Sequence, residues 1–208
     1  MAKLAIFDLD GTLVDSRRDL ADAGNAARDA IGLPPLPVEA VVAMIGDGAQ
    51  VLIERLTPDC NASRRALAMQ AFRRDYATRL TGHTRPYDGV PGMLSCLRAS
   101  GWRLAVATNK PSEFARPICD DLHLPYDDLR GGEGTKKPDP AMLLDLMRAC
   151  GATASDTWMI GDHRTDLLAA QRAGVRSVHC AWGFGQRDGL PATASAAHPR
   201  EIAGILDG

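Results

Sequence analysis

Two aspartates, Asp8 and Asp10, follow directly on the short apolar run that ends at Phe7. Carboxylates this close can divide covalent and proton-transfer work, one attacking an electrophile while the other passes a proton. Three more polar groups recur along the chain: Thr108-Asn109-Lys110, Lys136-Lys137-Pro138, and Gly161-Asp162-His163-Arg164-Thr165-Asp166. Each alone has a plainer reading. Asp-x-Asp-Gly-Thr suits a polar turn, and Gly161-Asp162-x-x-x-Asp166 suits a helix N-cap with acids at the positive end of the dipole. Thr108-Asn109 and Lys137-Pro138 are weak signals singly. Their weight comes from arriving together at one edge of one fold.

The elements that would bring them there can be read from the apolar pattern. Lys3 to Phe7 reads as a buried parallel strand that stops at acids and glycine, which puts Asp8 at a strand end. Ser16 to Ile31 has helical spacing, with Ser16 as cap and Gly32 as stop. After Pro34-Pro35-Leu36-Pro37 come helical patterns at about Val38–Ile45, Ala49–Leu56 and Ser63–Leu80. From Pro86 the texture alternates. Helices are expected at Pro91–Ser100, Ser112–Leu122 (kinked or split by Pro117), Pro140–Ala149 and Thr165–Ala173. Strands are expected at Arg103–Thr108, near Tyr126–Leu129, at Thr157–Ile160 and at Arg176–Cys180. Ala181 to Gly208 reads as loop, with a short helix at Arg200–Leu206. This is an α/β chain, a doubly wound parallel sheet with an all-helical insert after its first strand. Ligands bind beyond the carboxyl ends of the strands in such sheets, where the polar groups fall.

Taken in order, Asp8-Leu9-Asp10-Gly11-Thr12-Leu13-Val14-Asp15-Ser16, Thr108-Asn109, Lys137-Pro138 and Gly161-Asp162 followed by Asp166 resemble the haloacid dehalogenase superfamily, in its phosphoglycolate phosphatase-like branch. The resemblance implies a Mg²⁺-dependent phosphatase that hydrolyses a small phosphomonoester through an aspartyl-phosphate. Its leading substrate would be 2-phosphoglycolate. Asp8 would be the nucleophile, and Asp10 the acid that protonates the leaving alkoxide and then deprotonates the attacking water. The metal ligands would be the Asp8 carboxylate, the Asp10 backbone carbonyl and the Asp162 carboxylate, with Asp166 supporting them from behind. Thr108, Asn109 and Lys137 would hold the phosphate, leaving Lys136 solvated. Dehalogenases of the superfamily lack the second acid, so Asp10 points to phosphoryl transfer. His163 stands where many relatives carry Ser or Thr.

The resemblance divides the chain into a catalytic α/β core, residues 1–15 and 83–208, and a helical cap domain, 16–82, with hinges at Val14–Arg17 and about Gly82–Pro86. Within the cap, Gly46 and Gly48 would let backbone approach a small ligand. Arg55 is a weaker candidate that could equally salt-bridge a neighbour. Trp182-Gly183-Phe184-Gly185 resembles the family's aromatic-glycine loop, with a packing role expected.

Composition narrows the field further. A formal net charge of −2, with both signs spread along the chain, offers no basic stripe for nucleic acid. No apolar run is long enough for a signal peptide or a membrane span, so a cytoplasmic location is expected. The five cysteines match neither a disulfide framework nor a zinc spacing and are expected as reduced, mostly buried thiols. Two alternatives stand beside the leading one: a phosphatase or phosphomutase for another small phosphorylated metabolite, such as a sugar phosphate, and, remotely, a signalling receiver phosphorylated on aspartate. A receiver has no helical insert after its first strand and carries its acceptor on a later one.

Overall fold

The computed structural model describes residues 2–208. Strand β1 (Leu4–Phe7) and the two-residue β2 (Val14–Asp15) precede four helices, α1 (Arg17–Asp29), α2 (Val38–Val42), α3 (Ala49–Leu56) and α4 (Ala62–Ala77). The two-residue β3 (Arg85–Pro86) then leads into α5 (Val90–Ala99), β4 (Arg103–Ala107), α6 (Ser112–Asp121), β5 (Asp128–Arg130) and α7 (Ala141–Cys150). The chain closes with β6 (Thr157–Gly161), α8 (Arg164–Ala173), β7 (Arg176–Cys180), β8 (Ala194–Ala196) and α9 (Ile202–Asp207).

Six of the strands form one sheet in the order β5-β4-β1-β6-β7-β8, every pair of it parallel. Strand β1 is central because both its faces are covered. Ala5 and Phe7 join one apolar cluster and Leu4 and Ile6 the other, all four at most 1% exposed. Burying each of the larger side chains is worth roughly 1.5–3 kcal/mol, which ties the register of β1 to both helical layers. Phe7 pairs with Val106 of β4 and Ile160 of β6, so the residues just past the three strand ends, Asp8, Thr108 and Asp162, emerge side by side. The chain crosses from one side of β1 to the other between β5 and β6, and the crevice at that switch is where such folds bind ligands.

Helices α1 to α4 form the block inserted between β2 and β3. Leu20, Ala23 and Ala27 of α1 and Ala68, Phe72 and Tyr76 of α4 lie on their buried faces, and the small residues on α1 let the two helices come close. The two crossings between this block and the sheet, β2 and β3, pair antiparallel. The return crossing is fastened by the fully buried Asp19 of α1, which accepts from Thr84 N and Thr84 Oγ1 at 2.7 Å each and from His83 N at 2.9 Å.

Several expectations change. Ser16 does stand at the N-cap of α1, but its side chain makes no cap bond; its hydroxyl donates to Asp10 Oδ1 at 2.5 Å instead. Gly32 does end α1 as expected: at φ +69° it is the left-handed residue of the closing turn, where Gly32 N donates to Asp29 O and Leu33 N to Arg28 O at 2.9 Å each. Pro117 lies inside α6, yet α6 remains a single helix from Ser112 to Asp121 although the ring removes the donor that Glu113 O would otherwise receive. The stretch read as loop after Cys180 contains β8, an edge strand of small residues paired with Val178, His179 and Cys180. All five cysteines are free, four buried and Cys96 exposed. Among the described residues no helix is long and apolar enough to cross a membrane.

Candidate active site

Directly after β1 the chain turns back tightly, with the N–H groups of Leu13 and Val14 both donating to Leu9 O at 3.0 Å. Gly11 is required in that turn. Its φ is +86°, and a Cβ there would lie 2.0 Å from Asp162 Oδ2. The turn thereby presses the Asp8–Asp10 segment against the end of β6.

One cavity beyond the strand ends is lined by Asp8, Asp10, Thr108, Asn109, Lys137 and Asp162 from the sheet side and by Gly46 and Gly48 from the helical block. The structure brings all eight of these expected site residues together. Asp166 lies behind them and is fully buried. Its Oδ1 accepts from Lys137 Nζ at 2.7 Å and its Oδ2 from His163 N at 3.0 Å, which also caps α8. Lys137 Nζ reaches Asp8 Oδ1 at 2.8 Å and so bridges two carboxylates.

Asp8, Asp162 and Asp166 offer oxygens within 4.8 Å of one another. Three buried acids against one lysine leave surplus negative charge. Burial first, then the neighbouring acids, push Asp8 up to about 6 despite Lys137. Asp162 is raised well above the usual carboxylate range by burial and by Asp8 and Asp166, although Gly185 N donates to its Oδ2 at 2.7 Å and Thr12 Oγ1 to its Oδ1 at 3.2 Å. Burial works against the charge on Lys137, yet Asp166 and Asp8 hold its pKa above the ordinary value. A donor set of hard carboxylate oxygens with excess negative charge fits a divalent cation such as Mg²⁺.

Asp10 stands apart from this cluster. Its Oδ1 accepts from Lys110 Nζ at 2.6 Å as well as from Ser16, while Oδ2 makes no hydrogen bond among the described residues. Asn109 is more occupied than expected. Its amide donates to Lys137 O at 2.9 Å and Gly46 O at 3.1 Å, and its Oδ1 accepts from Lys137 N at 2.8 Å. Both of its amide hydrogens are therefore committed within the protein. Thr108 Oγ1 accepts from Lys110 N at 3.2 Å and keeps its own proton to donate.

The helical block closes onto this edge through a few contacts. Gly46 sits at φ +125° against the His163 ring, where a Cβ would lie 2.6 Å from Nε2. Asp47 accepts from Arg55 at 2.6 Å and from Arg164 at the start of α8 at 2.7 Å, so Arg55 serves an ion pair that spans to the sheet layer. Lys136 is half-buried beside Gly48 rather than solvated. The Trp182–Gly185 loop does more than pack: Trp182 Nε1 donates to Thr12 O at 3.1 Å, and Gly185 holds Asp162. Sequence reasoning assigned no task to Lys110 or Thr12, because their partners Asp10 and Asp162 lie 100 and 150 residues away, and it gave Ser16 only a capping role.

A family model described as haloacid dehalogenase-like hydrolase matches residues 2–174. The chain belongs to this family. A phosphoglycolate phosphatase of Aquifex aeolicus is 30% identical over 99% of this chain and 97% of its own length. One from Vibrio parahaemolyticus is 37% identical over 98% and 92%. A crystal structure from Haemophilus somnus, described as a predicted phosphoglycolate phosphatase, superposes with a TM-score of 0.91 at 30% identity, covering 98% of this chain and 97% of that one. Haloacid dehalogenase-like membership, with the helical insert after β1, leaves no case for a receiver.

Proposed function

We propose that the chain is a Mg²⁺-dependent phosphatase for a small phosphomonoester, with 2-phosphoglycolate as the leading substrate, acting through an aspartyl-phosphate on Asp8. The observation that carries this reading is the division of labour between two aspartates two residues apart. Asp8 lies among carboxylates beside Lys137, and Asp10 is set off with one oxygen fixed by Lys110 and Ser16 and the other without a hydrogen bond among the described residues. Relatives named phosphoglycolate phosphatase over nearly the whole chain support the same conclusion.

Asp8, Asp162 and the Asp10 backbone carbonyl would hold the ion, which when bound would neutralise charge on the transferring phosphoryl group. Lys137 and Thr108 Oγ1 position the phosphate, with the Asn109 backbone N–H beside them. Asp8 attacks phosphorus and forms the acyl-phosphate, while Asp10, through its Oδ2, protonates the departing alkoxide. Asp10 then takes a proton from the water that attacks the phosphoryl group, which returns Asp8. Asp166 keeps Lys137 aligned from behind. Residues 16–82 act as a cap over this edge and exclude bulk water, turning on the crossings at Val14–Arg17 and Gly82–Pro86.

The test is phosphate release from 2-phosphoglycolate and from an aryl phosphate, with Mg²⁺ present and after chelation. Mg²⁺-dependent turnover that disappears in Asp8→Asn is expected. Undiminished turnover in that variant would overthrow the mechanism.

A further inference from the structure

One buried cation at the cavity has a donor that the steps above leave unused. Lys110, 7% exposed, donates to Asp10 Oδ1 at 2.6 Å and to the Tyr76 hydroxyl of α4 at 2.5 Å. Its Nζ lies 4.8 Å from the centre of the Tyr76 ring. An ammonium carries three N–H donors, and the third has no partner among the described residues. Lys137, the other cation lining the catalytic cavity, is committed to Asp8 and Asp166 and faces the phosphate.

Lys110 also lines a second cavity, which adjoins the first through Ile45, Gly46 and Gly48. Beyond Lys110 the walls of that space are apolar, made by Leu20, Ala49, Leu52, Phe72 and Phe114. The path away from the phosphate on the cap side therefore meets an ammonium first and hydrocarbon after it.

We propose that Lys110 is the residue that recognises the leaving group, taking a carboxylate set one methylene from the ester oxygen, and that the apolar cavity behind it rejects polyhydroxylated leaving groups. The inference rests on the phosphatase reading and narrows its substrate class to short phosphorylated acids. The leaving oxygen must sit against Asp10, which protonates it, and Lys110 touches that same Asp10. A charged group one carbon farther on then comes within reach of the ammonium. A sugar would instead bring hydroxyls against Leu52, Phe72 and Phe114, where buried hydroxyls find no partner. Tyr76 places Lys110 from the cap, so the recognising donor is in position only when the cap is closed.

The experiment compares three substrates that share the phosphoryl group in the presence of Mg²⁺: 2-phosphoglycolate, its methyl ester and ribose 5-phosphate. For the wild-type enzyme, kcat/KM should fall at least about tenfold from the acid to the methyl ester, mostly through KM, and at least as far for the sugar phosphate. Lys110→Met should lose activity on all three, since Asp10 loses its partner, so the readout is the ratio of acid to ester. That ratio should shrink to within about threefold of unity in Lys110→Met and survive in Lys110→Arg, which keeps the charge.

An unchanged ratio in Lys110→Met would overturn the proposal, as would a wild-type enzyme that cleaves acid and ester alike. Should Lys110→Met fail to fold by circular dichroism, Lys110→Gln, which keeps a donor toward Asp10 without the charge, is read by the same ratio: collapse toward unity supports the proposal and an unchanged ratio overturns it. Brisk turnover of the ester or the sugar phosphate would sink the role of Lys110 and leave the phosphatase standing. Absence of Mg²⁺-dependent turnover on any substrate would sink both.

Discussion

Lys137 offers the sharpest test of how this site is held together. Its Nζ lies 2.8 Å from Asp8 and 2.7 Å from Asp166, and its side chain is 1% exposed. Replacing it with Met keeps most of the volume of the stem, so cavity and packing terms stay small. What is lost is the one cation among three buried acids. Removing one partner of a buried ion pair costs about 3–5 kcal/mol, because the other is left charged and desolvated. For a chain of this length each kcal/mol moves Tm by roughly 2–4 °C, so Lys137→Met should melt roughly 6–20 °C lower. The assay is thermal unfolding of the metal-free protein at pH 7.5, followed by circular dichroism. Adding Asp166→Asn removes one stranded charge while keeping the oxygen that caps α8, and the double variant should recover at least about 1 kcal/mol. A loss below about 1 kcal/mol in the single variant, or a double variant no better than it, would refute the charge accounting given above.

Other outcomes follow from the same geometry. Asp8 is raised to about 6 in the folded protein from 3.8, so the fold of the metal-free enzyme gains stability as Asp8 takes up its proton. That gain is fully present below 3.8 and is lost as pH rises through about 6. The stability of Asp8→Asn relative to wild type should therefore grow by roughly 2 kcal/mol between pH 4 and 7.5 in urea unfolding; a flat difference would contradict the raised pKa. Gly11→Ala puts a methyl 2.0 Å from Asp162 Oδ2 at a φ of +86° and should lower kcat at least about 100-fold through displacement of Asp162, with the protein still folded. Asp47→Ala breaks the half-exposed tie between Arg55 and Arg164. It should lower kcat/KM about two- to fivefold, in keeping with a pair worth at most about 1 kcal/mol.

The sheet was legible where burial is two-sided. Leu4–Phe7, Arg103–Ala107 and Thr157–Gly161 are apolar enough to stand out, and the polar residues after them mark where each strand stops. The missing elements had little to signal them. Strand β8 is Ala194-Ser195-Ala196, small residues whose strand character comes from β7 beside it, and β2 and β3 have two residues each. At the site, residue types and order pointed to Asp8, Asp10, Lys137 and Asp162 as one group. The contacts that set their properties were not readable, because they join distant positions. Lys110 meets Asp10 across 100 residues and Thr12 meets Asp162 across 150. Ser16 looked like a cap because Ser favours caps, but the turn at Leu9–Val14 carries its hydroxyl to Asp10 instead.

The central claim, an aspartyl-phosphate on Asp8 whose breakdown depends on Asp10, is tested most directly by trapping it. Asp10→Asn is mixed with 2-phosphoglycolate and Mg²⁺, quenched in acid, and its N-terminal peptide analysed by mass spectrometry. The account predicts an added phosphoryl group on Asp8 that accumulates in Asp10→Asn and is absent when Asp8 is also replaced by Asn. A phosphoryl group on another residue, or steady turnover in Asp10→Asn at the wild-type rate, would contradict it.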